Sequence, residues 1–460
     1  MDKTLIRSIS GIRGIFGRGL DPGVLVRYAA AFGTWCLRRA ETEDRAAAVV
    51  VGRDGRVTGP LCQSIVVDTL RSTGCDVVVA DMATTPTVEM AVLAEEAAGG
   101  IILSASHNPA AWNALKLLNH RGEFLTPDEA EALFEAVDDD EPSYVGFEDI
   151  GERRERDFLE HHVESVLALD YIDAGTIADE DFHVVVDGIN SVGAVAMPEL
   201  LAQLGVSDVE VLNGEPTGRF AHEAEPLKEN LTGLMERVRE TGADLGLAVD
   251  PDADRLAFVT DEGDYLGEEM TQVAAADFLW QQRSGPFVTN LSSSRTIEDV
   301  AGRYGEEVHR SSVGEINVVE KMKEVGAVLG GEGNGGIIPQ DLHYGRDALA
   351  GTAMVLQHLA NEQAKLSALQ ADYPSYEMVK DKVPLGEGDD PDELLQHMEE
   401  AYRSEELSTI DGVKIDFENS WVHMRASNTE PIIRVYAEAP TRGEARELTQ
   451  RFMKELQQNG

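Results

Sequence analysis

At 460 residues, with 42% of them hydrophobic, the chain is too long for one ordinary core and is expected to divide into two to four domains. Asp and Glu number 84 against 39 Lys and Arg, giving a formal net charge of -45. The carboxylates are spread along the whole chain, so nucleic acid and anionic membranes are excluded as partners by simple repulsion. High salt would screen that self-repulsion. The composition therefore points to a host with a salty cytoplasm, the alternative being an ordinary acidic protein. The three cysteines, Cys36, Cys62 and Cys75, form no CxxC pair; they read as small buried hydrophobes in a reducing compartment. The opening residues lack the apolar run of a signal peptide, and no apolar stretch reaches about 18 residues, so a cytoplasmic location without membrane spans is expected.

In chain order, an apolar run at residues 47–51 ends in Gly52-Arg53-Asp54-Gly55. A helix is predicted over 60–70, a strand over 75–80, a helix over 90–98 and a strand over 100–103. An acidic helix over 128–137 leads into an unpatterned stretch, 138–151. A second unit carries helices over 156–169, 194–205 and 227–241, with strands at 184–186, 209–212 and 245–249. A third has helices over 270–281, 296–304 and 347–359, with strands at 286–290 and 327–329. Apolar runs alternating with helical segments imply βα units and largely parallel sheets. Residues 374–390 look irregular and linker-like. Beyond them, Asp390 is placed to cap a helix that starts at Pro391. Strands at 412–417, 421–425 and 432–438 and a helix over 442–457 complete a smaller α+β unit. The fold class expected is thus α/β, with three similar α/β domains and a C-terminal α+β domain.

Four stretches carry candidate chemistry. Ser104-Ala105-Ser106-His107-Asn108-Pro109 follows a strand, where open α/β sheets bind ligands; a serine hydroxyl there is a candidate phosphoryl acceptor or simply part of a polar turn. Asp250-Pro251-Asp252-Ala253-Asp254-Arg255 sets three carboxylates at spacing two, suited to a hard cation such as Mg²⁺, the alternative being a solvated acidic turn. It lacks the Gly and Glu of a calcium-binding hand. Gly330-Gly331-Glu332-Gly333-Asn334-Gly335-Gly336 allows close backbone approach, and Glu332 and Asn334 can exchange hydrogen bonds with sugar hydroxyls. Without Lys and Ser/Thr it is no P-loop, and a flexible tight turn is the other reading. Arg425-Ala426-Ser427-Asn428-Thr429-Glu430-Pro431, with Arg434, is a donor-rich loop whose guanidinium forks match phosphate, unless the arginines are merely surface residues.

Taken together and in this order, the four stretches resemble the alpha-D-phosphohexomutase superfamily over nearly the whole chain. The resemblance implies four domains around a central cleft: 1–150 with the phosphoserine, 151–262 with the metal, 263–373 reading the sugar and 374–460 clamping phosphate. It implies Ser106 as the phosphoryl carrier; Asp250, Asp252 and Asp254, with phospho-Ser106, as Mg²⁺ ligands; and Arg255 beside the catalytic centre. Glu332 and Asn334 become the sugar readers, and Arg425, Ser427, Asn428, Thr429 and Arg434 the phosphate clamp. Arg13, in Gly11-Ile12-Arg13-Gly14, and Lys116, in Trp112-Asn113-Ala114-Leu115-Lys116, match active-site positions of the family, Lys116 as general acid or base. His107 supports the serine loop. A hexose 1,6-bisphosphate serves as primer and intermediate, a sugar phosphate is the partner molecule, and the assembly is a monomer or homodimer. The Gly-Glu-Gly-Asn-Gly-Gly form resembles the branch assigned as phosphoglucosamine mutases, with phosphoglucomutase/phosphomannomutase as the alternative. Departures from the family pattern are Ala114 and Pro251 where glycine is usual, and Asn334 and Gly336 where many relatives carry Ser and His. The stretch 374–390 is the expected hinge for movement of the last domain.

Overall fold

The apolar run predicted at 47–51 lies inside a seven-stranded mixed sheet. The computed structural model describes residues 4–138, 143–386, 388–427 and 431–459. The strand order in that sheet is Ile6–Ser8, Gly11–Ile15, Trp112–Leu118, Ala97–Leu103, Ala46–Arg53, Asp76–Met82, Arg153–Glu155. Ala46–Arg53 pairs in parallel with both neighbours, while Trp112–Leu118 runs antiparallel to Ala97–Leu103 and to Gly11–Ile15. Val49, Val50 and Val51 are fully buried, as β-branched side chains covered on both faces should be. Helices Pro22–Glu43, capped by the Asp21 carboxylate, and Gly59–Ser72 cover the sheet through Phe32, Val66 and Leu70.

A second sheet has the order Leu256–Thr260, Leu245–Val249, His183–Asp187, Asp208–Leu212. Only its first pairing is antiparallel. Both sheets belong to a compact unit formed by residues 1–282 and 334–370. That unit also holds two helices in contact, Glu268–Gln282 and Ala348–Glu362. Every residue from Ala348 to Ala360 is buried, the mark of a helix enclosed on all sides.

The other unit comprises residues 283–333 and 371–460. In it, Phe287–Asn290 lies between Val308–Ser311 and Leu329–Glu332, all parallel. A separate five-stranded antiparallel sheet runs Glu377–Pro384, Ile432–Ala439, Trp421–Ala426, Val413–Asp416, Glu406–Ser408. Helices Pro391–Ala401 and Arg442–Asn459 accompany it, the first capped by Asp390 with Pro391 in its opening turn as expected.

Several sequence expectations need correction. The helix expected over 90–98 is Thr85–Ala94: Thr84 caps it, Pro86 sits in its first turn, and Glu96 takes a left-handed φ of 48° that leads into the strand at Ala97. The helix expected over 227–241 begins only at Thr232. The strand Leu256–Thr260 and the helix Glu315–Val325 were not expected. The stretch 374–390 is not irregular throughout. Its core, Glu377–Pro384, is an edge strand with eight paired positions against Ile432–Ala439. Alternating charge hid it, since an edge strand carries charge and proline without loss. Among the described residues no helix is long and apolar enough to cross a membrane.

Candidate active site

Asp250 is the last residue before a turn that leaves the carboxyl end of Leu245–Val249, and the turn is tightly determined. Its Oδ1 accepts the backbone N–H groups of Asp254 and Arg255, each at 3.2 Å. Ala253 has φ +52°, a left-handed conformation that costs a non-glycine residue on the order of 1 kcal/mol. Pro251, where glycine would be usual, is accommodated by a trans peptide and offers its carbonyl to the Ser191 hydroxyl at 2.5 Å. The carbonyl of Asp252 accepts the backbone N–H of Thr85.

This turn gathers three carboxylates that are all fully buried. One oxygen from each of Asp250, Asp252 and Asp254 lies within 4.8 Å of the others. The Ser106 hydroxyl donates to Asp250 Oδ2 at 2.6 Å. Lys116 Nζ, itself buried, donates to Asp252 Oδ2 at 2.5 Å and Asp254 Oδ2 at 3.1 Å. Thr85 adds its hydroxyl to Asp252 at 2.7 Å. Burial and the charges of Asp254 and Asp252 push the Asp250 carboxyl well above its usual range. Burial acts on Asp254 the same way, but Arg346, Lys116 and Arg255 outweigh it and hold that carboxyl below the usual range. Burial would strip the proton from Lys116, yet Asp252 and Asp254 hold its ammonium above the usual lysine range.

The donor set fits a hard divalent cation. Asp252 Oδ1 and Asp254 Oδ1 are buried with no hydrogen-bond partner among the described residues. Unpartnered carboxylate oxygens in a dry pocket are costly without a metal, and an all-oxygen set suits Mg²⁺.

Cations ring the cluster. Arg346 Nη2 donates to Asp254 Oδ2 at 2.7 Å. Arg255 pairs with Glu225 at 3.0 Å, and its buried Nε has no partner among the described residues. Arg13 reaches Ser10 Oγ at 2.8 Å and, at 3.4 Å, the side-chain oxygen of Asn108. His107 Nδ1 is 3.5 Å from the Ser106 hydroxyl. Arg255, burial and Arg13 together drive the His107 pKa down to about 2, so the ring is neutral. Sequence reasoning thus assembled Arg13, Ser106, His107, Lys116, Asp250, Asp252, Asp254 and Arg255, and this unit brings all eight to one place. It missed Arg346, Thr85, Glu225 and Arg56. The signal for Arg346 was a cation shortly after the Gly-rich turn in a chain poor in positive charge. Gly336 makes its position possible: a Cβ there would fall 2.2 Å from Arg346 Cδ.

Asn334 is in the same unit, its side-chain oxygen accepting the Gly336 N–H at 3.1 Å. Glu332, Arg425, Ser427 and Arg434 are in the other unit. There Glu332 Oε1 accepts from Asn290 at 3.0 Å and from the Gly314 N–H at 3.2 Å. Arg425 and Arg434 are direct cross-strand partners on Trp421–Ala426 and Ile432–Ala439. Two like charges placed opposite each other destabilise a sheet unless an anion lies between them. Arg425 Nε is buried with no partner among the described residues. Asn428 and Thr429 lie outside the described residues.

Comparison with known proteins places four consecutive family domains on the chain, all described as phosphoglucomutase/phosphomannomutase. Alpha/beta/alpha domain I matches residues 5–143, domain II 158–263, domain III 266–376 and the C-terminal domain 381–455. A Thermococcus kodakarensis protein named phosphoglucomutase/phosphomannomutase is 36% identical over 452 residues, covering 97% of both chains. A Methanopyrus kandleri protein named a probable phosphoglucosamine mutase is 35% identical over 455 residues, 96% of both. The crystal structure of a phosphoglucomutase/phosphomannomutase family protein from Burkholderia thailandensis superposes with a TM-score of 0.83 at 26% identity, covering 99% of this chain and 98% of that one.

Proposed function

Because the chain belongs to the phosphoglucomutase/phosphomannomutase family of the alpha-D-phosphohexomutase superfamily, and so is an intramolecular phosphotransferase, we propose that it works through a phosphorylated Ser106 and acts on glucosamine phosphates. The observation that supports the carrier role is the 2.6 Å contact between the Ser106 hydroxyl and a buried carboxylate of the metal-fitting cluster. Asp250, Asp252 and Asp254 would hold Mg²⁺ together with an oxygen of phospho-Ser106. The cation would supply charge neutralisation for the transferring group.

The chain's own residues do the rest. In transfer to the sugar, the O–P bond at Ser106 breaks and one to the sugar hydroxyl forms, giving a 1,6-bisphosphate. Lys116, held as an ammonium, acts as general acid: it gives a proton to the departing Ser106 oxygen and is recharged by the proton leaving the sugar hydroxyl. Arg13, Arg255 and Arg346 stabilise charge on the equatorial oxygens. The bisphosphate then turns over, and its other phosphate returns to Ser106. Arg425 and Arg434 hold whichever phosphate is not reacting, and Glu332 and Asn334 read the ring hydroxyls.

Support for an amino sugar is the Methanopyrus relative's name over the full length and the net charge of -45, which favours a sugar bearing an ammonium over a neutral one. The Thermococcus relative's name favours glucose and mannose phosphates as the second reading. Intact mass after incubation with glucose 1,6-bisphosphate should show one added phosphoryl group on the wild type and none on Ser106→Ala, which should also lose turnover. Turnover by Ser106→Ala would end the carrier assignment. The kcat/KM values for the 6-phosphates of glucosamine, glucose and mannose, compared side by side, decide the substrate.

A further inference from the structure

Arg56 is among the most enclosed charged side chains of the described chain: its guanidinium and the Asp54 carboxylate beside it are both fully buried. Each of its N–H groups is used. Nε donates to Asp54 Oδ2 at 2.9 Å. Nη1 donates to the carbonyls of Pro109 at 2.8 Å and Trp112 at 3.1 Å. Nη2 donates to the carbonyls of Ser106 at 2.5 Å and Asn108 at 2.8 Å. Phe220 lies under the guanidinium, 5.0 Å from ring centroid to Cζ. Asp54 is fixed in turn: its N–H donates to the Leu103 carbonyl at 3.1 Å and its Oδ1 accepts the Arg56 N–H at 2.9 Å.

Four of these five acceptors are main-chain carbonyls of a single segment, which runs from Ser106 through a loop to Trp112, the first residue of the strand that carries Lys116. Ser106 has φ +48°, a left-handed conformation that L residues hold only when their surroundings over-determine it. Its carbonyl is bonded to Arg56 and its N–H donates to Ser104 Oγ at 2.9 Å. At the segment's other end, the Trp112 carbonyl is held by the same guanidinium.

We propose that Arg56 is a positioning residue for phosphoryl transfer: one planar fork holds Ser106 in the conformation that aims its hydroxyl at Asp250, and sets the spacing between that hydroxyl and Lys116. The proposal rests on Ser106 being the phosphoryl carrier. A lysine at this position keeps the charge but offers its donors from a single point, and cannot span four carbonyls.

The test is kinetic. Arg56→Lys should lower kcat on the order of 10²-fold, the loss expected for an ångström-scale misplacement of a reacting group, while KM stays within about threefold of the wild type. Phosphorylation of its Ser106 by glucose 1,6-bisphosphate, followed by intact mass, should slow in parallel. A purely structural role would instead lower the active fraction and leave the kcat of folded enzyme unchanged. Added guanidinium should restore part of the kcat of Arg56→Gly and none of that of Arg56→Lys. Wild-type kcat and phosphorylation rate in folded Arg56→Lys overturn the proposal. Should that variant not fold, Asp54→Asn, which keeps the guanidinium but loosens its anchor, should show a roughly tenfold fall in kcat at unchanged KM, and a wild-type kcat there overturns the proposal equally. Ser106→Ala run alongside separates the two claims: turnover in that variant removes the carrier reading, whereas an inactive Ser106→Ala beside a fully active Arg56→Lys removes only the role of Arg56.

Discussion

The Ser106 hydroxyl and the Asp250 carboxylate, 144 positions apart in the chain, meet at 2.6 Å. Around that contact Asp250, Asp252 and Asp254 repel one another in a fully buried pocket. A cation should relieve the repulsion, so the cluster lowers stability in chelator and raises it in Mg²⁺. Asp250→Asn removes one charge yet leaves an acceptor for the turn's N–H groups. Its melting temperature in chelator should therefore equal or exceed that of the wild type. The rise the wild type gains from Mg²⁺ should shrink, and kcat should fall by at least about 10²-fold. Thermal melts with and without Mg²⁺ check this; a variant less stable than wild type in chelator, with its Mg²⁺ response intact, would refute the metal reading.

Lys116 is the counter-charge that holds the cluster together before any cation arrives. Removing one partner of a buried ion pair leaves the other uncompensated, at a cost of about 3–5 kcal/mol. Lys116→Met should melt well below the wild type in chelator. Mg²⁺ should recover much of the difference, because the metal supplies the missing positive charge. Activity should stay low even then, down by about 10²- to 10⁴-fold, since a bound metal cannot carry the sugar hydroxyl's proton. Equal destabilisation with and without Mg²⁺ would show that Lys116 and the metal do not share the same carboxylates.

Much of this centre was readable in the sequence, for a physical reason. Ser106 and Asp250–Arg255 follow strands whose apolar runs are plain, and chain order places both at carboxyl edges of sheets. Arg13 and Lys116 came only with the family resemblance, because their own neighbours carry no pattern. Arg346 offered only its place after the Gly-rich turn, and Arg56 no signal: their roles come from partners tens of positions away, 92 for Arg346 with Asp254 and 50 for Arg56 with Ser106. The edge strand Glu377–Pro384 was lost because its exposed face reads as a polar linker. The helix Thr85–Ala94 was shifted because its buried residues lie all round it, leaving no amphipathic stripe to locate its start.

His343 supplies a pH dependence away from the metal ligands. It lies between two buried carboxylates, with Nδ1 3.2 Å from Glu89 and Nε2 3.1 Å from Asp347. Burial lowers its pKa, but the hydrogen bonds to Asp347 and Glu89 outweigh it and raise the value to about 10. Asp347 also accepts from His162 Nε2 at 2.8 Å and caps the buried helix Ala348–Glu362. A histidine whose folded pKa is raised contributes all its stabilisation below its unfolded pKa of about 6.5. That contribution declines between about pH 6.5 and 10, by at most about 1.4 kcal/mol per pH unit, and is gone above it. The melting temperature of the wild type should thus exceed that of His343→Gln clearly at pH 6.5, and the gap should narrow by pH 9.5. A gap independent of pH would mean that His343 is held neutral.

Salt acts on the remaining surface. Acidic residues outnumber basic ones 84 to 39, so the folded chain carries a large net self-repulsion. The screening length is about 10 Å at 0.1 M salt but only about 3 Å at 1 M, so repulsion that persists in dilute buffer is removed in concentrated KCl. Unfolding spreads these charges apart, and the folded state therefore gains from screening. The melting temperature should rise by several degrees or more between 0.1 and 2 M KCl, and sucrose at matched osmolality should not reproduce the whole rise, since a neutral solute screens nothing. The same repulsion opposes approach of an anionic sugar phosphate, so KM should fall over the first part of the salt range and rise only when pairing with the site's own arginines is screened. A melting temperature flat in KCl would show that the acidic surface is already neutralised by its own ion pairs, and the inference of a high-salt host would fall with it.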